Sequence, residues 1–146
     1  MQLGAGLATF TMPGLSQRAS SASLPAISAY RNPGCSCCEK WAKLLTQAGF
    51  IVTMEDDPAL EARRAKLGVP AELAGCHTAV MGKYIIEGHV PLEDILSFLE
   101  RKPAARGLAV PGMPMESPGM ETGGPAEKYD VMLFMADGTS QVYASH

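Results

Sequence analysis

The residues best able to do chemistry in this 146-residue chain are its four cysteines: Cys35, Cys37 and Cys38 fall within four positions, and Cys76 stands apart. Small secreted domains spread their cysteines to close loops, whereas clustered thiols bind metal or carry redox chemistry. Cys35 and Cys38 have the Cys-x-x-Cys spacing of a redox dithiol, so thiol–disulfide exchange is one reading. The adjacent Cys37 complicates it, because a third thiol either resolves the wrong mixed disulfide or binds metal. A zinc site is a second reading, although structural zinc sites usually bring two Cys-x2–4-Cys clips and here there is one cluster and one remote cysteine. Neighbouring Cys37 and Cys38 also do not easily face one ion. Crowded thiolates suit Cu(I) better, since it accepts low coordination and its thiolates bridge ions, which makes a multi-copper cluster the favoured chemistry. The plain alternative, cysteines acting as small buried hydrophobes, is weak for three thiols in four residues beside Gly34.

Other soft donors point the same way. Of nine methionines, Met113, Met115 and Met120 lie in a Gly- and Pro-rich stretch. Thioethers ligate Cu(I), stay unprotonated and form no disulfides. Met113 and Met115 are therefore candidate lid or delivery ligands on a mobile loop; the alternative is that they pack that loop against a sheet. His77 follows Cys76 and is the only histidine expected near the cluster, where it either ligates or adjusts thiolate charge. Strand alternation argues against ligation, because neighbouring side chains point to opposite faces. His89 and His146 read as solvated, Trp41 as core, and Lys40 and Lys43 as a solvated helix face.

The elements that must position these groups are legible from pattern. Residues 26–30 read as a strand, Arg31-Asn32-Pro33-Gly34 as a turn, 39–48 as a helix with Trp41, Leu44, Leu45 and Ala48 on one face, and 50–54 as a second strand. A second helix opens at Pro58 and closes at Gly68. Strand, helix, strand implies a right-handed unit with parallel strands. Residues 77–81 and 84–87 flank Gly82-Lys83 as a hairpin, and 91–101 repeat the helix pattern. This order predicts an α/β, thioredoxin-like fold: a mixed central sheet flanked by helices. In it the cluster sits at a helix N-terminus, where unpaired N–H groups and the dipole favour thiolates. Cys76 begins the later hairpin, at the loop where redox thioredoxins keep a proline, so the four sulfurs are expected to converge.

Residues 103–125 hold five prolines and five glycines and read as a long irregular loop. Asp137-Gly138 then marks a C-terminal β-hairpin over 129–143, which either extends the sheet or folds over it. The predicted organisation is a single domain over 26–146 preceded by a flexible segment, 1–25. That segment is rich in Ala and Ser and resembles the tail of an export signal, although its only basic residue, Arg18, follows the apolar part instead of preceding it. A floppy N-terminus explains it equally well.

Composition excludes several classes. With 12 basic and 15 acidic residues, a net charge of -3 and no basic run, there is no footprint for nucleic acid or an anionic membrane. A hydrophobic content of 47% excludes a disordered chain. The longest uncharged stretch, 1–17, is interrupted by polar residues and Pro13, whereas a bilayer span needs about 20 apolar residues, so no membrane insertion of the mature chain is expected.

Taken together, the residues resemble a family. Tyr30-Arg31-Asn32-Pro33-Gly34-Cys35-Ser36-Cys37-Cys38-Glu39-Lys40-Trp41, Gly68-Val69-Pro70, Cys76-His77-Thr78-Ala79, Glu87-Gly88-His89-Val90-Pro91 and Gly107-Leu108-Ala109-Val110-Pro111-Gly112-Met113-Pro114 are similar to the bacterial copper-resistance proteins called CopG, a family long catalogued as a domain of unknown function. The likeness covers roughly residues 26–143. It implies a periplasmic, thioredoxin-like, copper-binding protein with Cys35, Cys37, Cys38 and Cys76 as metal ligands. The expected function is copper resistance through Cu(I) binding, with several ions per chain. Copper redox conversion, which would make it an oxidoreductase, and transfer to a copper exporter or from a periplasmic chaperone are the roles that follow. The alternatives are a thiol–disulfide oxidoreductase using Cys35 and Cys38, and a zinc- or mercury-binding module.

Overall fold

Short β-forming runs alternate with amphipathic ones, and the chain folds in that order. The computed structural model describes residues 23–146; the export-signal reading covers residues 1–25, of which 1–22 lie outside those described. Strand β1 (Ile27–Arg31), helix α1 (Ser36–Gln47) and strand β2 (Val52–Asp56) come first. Helix α2 (Leu60–Leu67) and a 3-10 turn (Ala71–Leu73) lead to the hairpin of β3 (His77–Met81) and β4 (Tyr84–Glu87), followed by α3 (Leu92–Arg101). β1 runs parallel to β2 and antiparallel to β3, and β3 antiparallel to β4, giving the order β2-β1-β3-β4. These are the order and directions that the α/β expectation requires.

Strand alternation sorts the core into two layers. Ile27, Ala29, Ala79, Met81 and Ile86 cluster with Trp41 and Leu45 of α1 and Ile95 and Phe98 of α3. Ile85, Ala109 and Phe134 cluster instead with Val69 and Leu73, which follow α2. Trp41 is fully buried and donates Nε1–H to the Val90 carbonyl at 3.0 Å, which seats the start of α1 on the loop before α3. Burial of each such large side chain contributes about 1.5–3 kcal/mol.

The stretch 103–125 departs from expectation. It is not irregular throughout, because Gly107–Ala109 forms strand β5, parallel to β4 and antiparallel to a later strand, β6 (Asp130–Phe134). Glycine permits this pairing: a Cβ at residue 107 would lie 1.8 Å from the Ile85 carbonyl oxygen. A three-residue strand that opens on glycine carries no periodicity to read. Strands β6 (Asp130–Phe134) and β7 (Ser140–Ser145) form the expected C-terminal hairpin, with a bulge between Val131 and Met132. Paired to β5, the hairpin extends the sheet to seven strands among the described residues.

Candidate metal centre

Between β1 and α1 the chain turns on Asn32-Pro33-Gly34-Cys35, with Cys35 N–H donating to the Asn32 carbonyl at 3.3 Å. Pro33 presets its own φ, and Gly34 takes the positive φ of 82° that the third position of such a turn requires. Arg31 then ties the turn to the sheet end: Nη1 donates to the Cys35 carbonyl at 2.8 Å and Nε to Asp56 at 2.8 Å. Cys35 is the residue before the helix and carries no side-chain cap, so Cys37 and Cys38 fall in the first turn of α1, earlier than the expected start at residue 39.

This placement brings the sulfurs together. Cys76 Sγ lies 3.2 Å from the Sγ of Cys35, 3.2 Å from that of Cys37 and 3.3 Å from that of Cys38. Cys35 and Cys37 are 3.3 Å apart, and Cys35 and Cys38 form a disulfide that leaves Cys37 and Cys76 as free thiols. The four sulfurs thus converge, and neighbouring Cys37 and Cys38, read as not easily facing one ion, both approach the Cys76 sulfur. In a helix every Cα–Cβ bond tilts toward the N-terminus, so side chains of the first turn gather beyond the helix end.

Cys76 is held by groups that sequence reasoning did not single out. Arg64 Nε donates to Glu87 Oε1 at 2.7 Å, and the same oxygen accepts the Gly75 N–H at 2.8 Å. Arg64 Nη2 donates to the Gly75 carbonyl at 2.5 Å, and Thr78 Oγ1 donates to Glu87 Oε2 at 2.5 Å. Burial pushes the Glu87 carboxyl up, against the pull of Thr78, the Gly75 N–H and Arg64. Cys76 lies off the helix, and burial, reinforced by hydrogen bonding to Cys37, pushes its thiol up to about 12. The thiolate-favouring field of the helix end does not dominate there.

Cys76 precedes β3, so strand alternation does not govern it and His77 as a pair. The His77 ring is buried against Trp41, with centroids 4.2 Å apart, and meets His89 edge-on at 5.1 Å. His89 was expected in solvent but is fully buried, with Nδ1 2.7 Å from the Pro118 carbonyl oxygen. Desolvation pushes His77 well below the ordinary imidazole value and lowers His89 too, against the pull of the Pro118 carbonyl. His146 is also not simply solvated: Nε2 lies 2.7 Å from Asp94, and the ring stacks on Tyr129.

The Met-bearing segment is anchored over the site. Its Gly119 sits so close to α1 that an added Cβ would be 2.8 Å from the Cys37 carbonyl and 2.9 Å from the Trp41 nitrogen. Gly112 bridges Gly75, and its N–H donates to the Ala74 carbonyl at 2.9 Å. Met113 and Met115 are 54% and 41% exposed, which argues against the reading that they pack the loop down. Met113 borders a cavity of about 350 Å³ shared with Asn32, Cys35, Glu61, Arg64 and Cys76; Met115 does not. A separate apolar cavity of about 420 Å³ lies between Trp41, Leu44, Val90 and Leu92 and touches none of the cysteines.

An α/β sheet protein with four sulfurs gathered at the start of its first helix is the class that fold and site define. The family model described as a protein of unknown function, DUF411, matches residues 73–120. Two solved structures, described as copper resistance protein CopG form 1 and form 2, are each 41% identical to the chain, covering 84% of it and 98% of their own length. Their TM-scores are 0.79 and 0.80. No curated protein matches. The chain belongs to the CopG family of copper-resistance proteins.

Proposed function

We propose that the protein captures Cu(I) as a polynuclear thiolate cluster on Cys35, Cys37, Cys38 and Cys76, and in that form either changes its redox state or passes it to an exporter. The observation that carries this reading is the position of the Cys76 sulfur, 3.2–3.3 Å from each of the other three. Sulfurs this close suit ions that thiolates bridge. Loading from the disulfide form first needs an external dithiol, which supplies two electrons and two protons to open Cys35–Cys38 into two thiols and is itself oxidised to a disulfide. Ion binding then displaces the thiol protons. Met113, at the rim of the cavity beside Cys35 and Cys76, is the thioether placed to meet an arriving ion. A periplasmic location belongs to this reading and is supported by the family.

Anaerobic Cu(I) titration of the fully reduced chain tests it. More than one ion per chain, with fewer in Cys37→Ser, is the expected result; single-ion binding that ignores Cys37 refutes the cluster.

The Cys35–Cys38 disulfide favours a second reading, thiol–disulfide exchange. It requires metal-free protein to reduce insulin or isomerise disulfides, and no turnover there removes it. Zinc or mercury binding at the same thiols is separated from copper binding by competition at matched free-metal concentrations.

A further inference from the structure

Deeper than the sulfur cluster lies a second group of donors. Cys76, His77 and His89 each offer one ligand atom, and the three atoms lie within 4.8 Å of one another. Ligands that share one ion of zinc's size at tetrahedral to trigonal angles are separated by about 3.3–3.8 Å, given bonds of about 2.0–2.1 Å to nitrogen and 2.3 Å to sulfur. A small side-chain movement closes the set.

What points to a ligand is burial without partners. Both histidines are 0% exposed, yet neither His77 nitrogen nor Nε2 of His89 has a hydrogen-bond partner among the described residues. Buried polar atoms are normally paired, and each exception calls for a reason. At His89 the tautomer follows from geometry: the Pro118 carbonyl oxygen, 2.7 Å from Nδ1, can only accept, so Nδ1 carries the proton and Nε2 the lone pair. Metal-bound histidines are oriented in this way, with one ring N–H on a carbonyl and the other nitrogen left for the ion.

We propose that Cys76, His77 and His89 form an inner copper site of the two-histidine, one-cysteine type, joined to the outer cluster through the shared Cys76 sulfur. Trigonal sets of this composition hold copper in redox-active sites, whereas an all-thiolate cage selects Cu(I). The inner set does not depend on the redox state of the outer cysteines. The Cys35–Cys38 disulfide withdraws two of the four cluster sulfurs and none of the inner donors. This inference deepens the copper reading and shares only Cys76 with it.

The test uses Co(II), a redox-inert probe, on the full chain carrying Cys35→Ser, Cys37→Ser and Cys38→Ser. The expected result is one Co(II) per chain with a thiolate-to-cobalt charge-transfer band. Adding His77→Gln or His89→Gln should weaken binding more than about 100-fold, beyond what loss of an outer-shell partner does. Circular dichroism establishes that each variant is folded. No binding to the folded triple variant, or binding indifferent to both histidines, overturns the proposal. If a glutamine variant fails to fold, X-ray absorption of the copper-loaded natural chain decides: imidazole scattering supports the inner site, and an all-sulfur shell overturns it. Failure of the outer cluster is read separately, from Cu(I) stoichiometry indifferent to Cys37, which is not an inner donor.

Discussion

Arg64 and Glu87 form a buried ion pair, Nε to Oε1 at 2.7 Å with side chains 6% and 0% exposed, that grips both polar groups of Gly75, the residue before Cys76. Loss of the cation strands a carboxylate in the interior at a cost of about 3–5 kcal/mol. Arg64→Met should therefore lower the urea-derived unfolding free energy by about that amount. Adding Glu87→Gln removes the stranded charge and should recover a large part of the loss. A double variant no more stable than Arg64→Met alone would show that the pair does not act as a unit.

Gly119 touches the first turn of α1 with backbone alone. Its φ is 90°, and a methyl group there would lie 2.8 Å from the Cys37 carbonyl, 2.9 Å from the Trp41 nitrogen and 3.2 Å from His89 Nδ1. Two of these neighbours are backbone and cannot move aside. Gly119→Ala should cost about 1–3 kcal/mol through overpacking and should lift the Met-bearing segment from the site. Thermal melting reads the first effect and faster protease cleavage near residue 119 the second. A wild-type melt with wild-type cleavage contradicts this packing.

The two exposed methionines differ in what they face. Met113 borders the cavity that Cys35 and Cys76 line, and Met115 does not. Met113→Ala should accordingly weaken Cu(I) retention against a chromophoric competitor, while Met115→Ala should leave it near the starting value. Equal effects would mean that the cavity is not the route of the ion.

Acid should loosen the start of α2. The Arg63 side chain and then the Ala59 N–H hold the Asp57 carboxyl below its ordinary value of 3.8. A depressed acid contributes stability that is complete above the unfolded value and is lost as pH falls through the lower folded one. Melting temperature should thus drop progressively below pH 4, and Asp57→Asn, which still accepts from Ala59, should flatten that drop. Identical pH profiles in the two proteins would assign the acid sensitivity elsewhere.

Much of the framework is written locally. Helical spacing of Trp41, Leu44 and Leu45 and the turn residues Gly82-Lys83 and Asp137-Gly138 announce α1 and both hairpins, because side-chain periodicity and turn dihedrals are properties of neighbouring residues. Boundaries were less legible. Helix α1 starts at Ser36, three residues before the apolar pattern begins, since its first turn is spent on cysteines rather than on the core. Strand β5 was not legible at all, being defined by Gly107 fitting against Ile85.

By itself the sequence determined which donors exist, namely a Cys-x-Cys-Cys cluster, one remote cysteine and thioethers on a Gly/Pro segment, and the family to which they point. Only the tertiary structure decided what those donors face. Cys37 and Cys38 converge on Cys76 because a helix tilts its side chains toward its N-terminus. His89 is drawn from an expected solvent position into the core by Pro118 and Gly119, which are 29 residues and more away along the chain. Arg64 and Glu87, 23 residues apart, acquire their role only when α2 and β4 meet at Gly75. Residue type and spacing are local quantities, whereas burial, desolvation and the pairing of distant charges arise only once the chain has closed on itself.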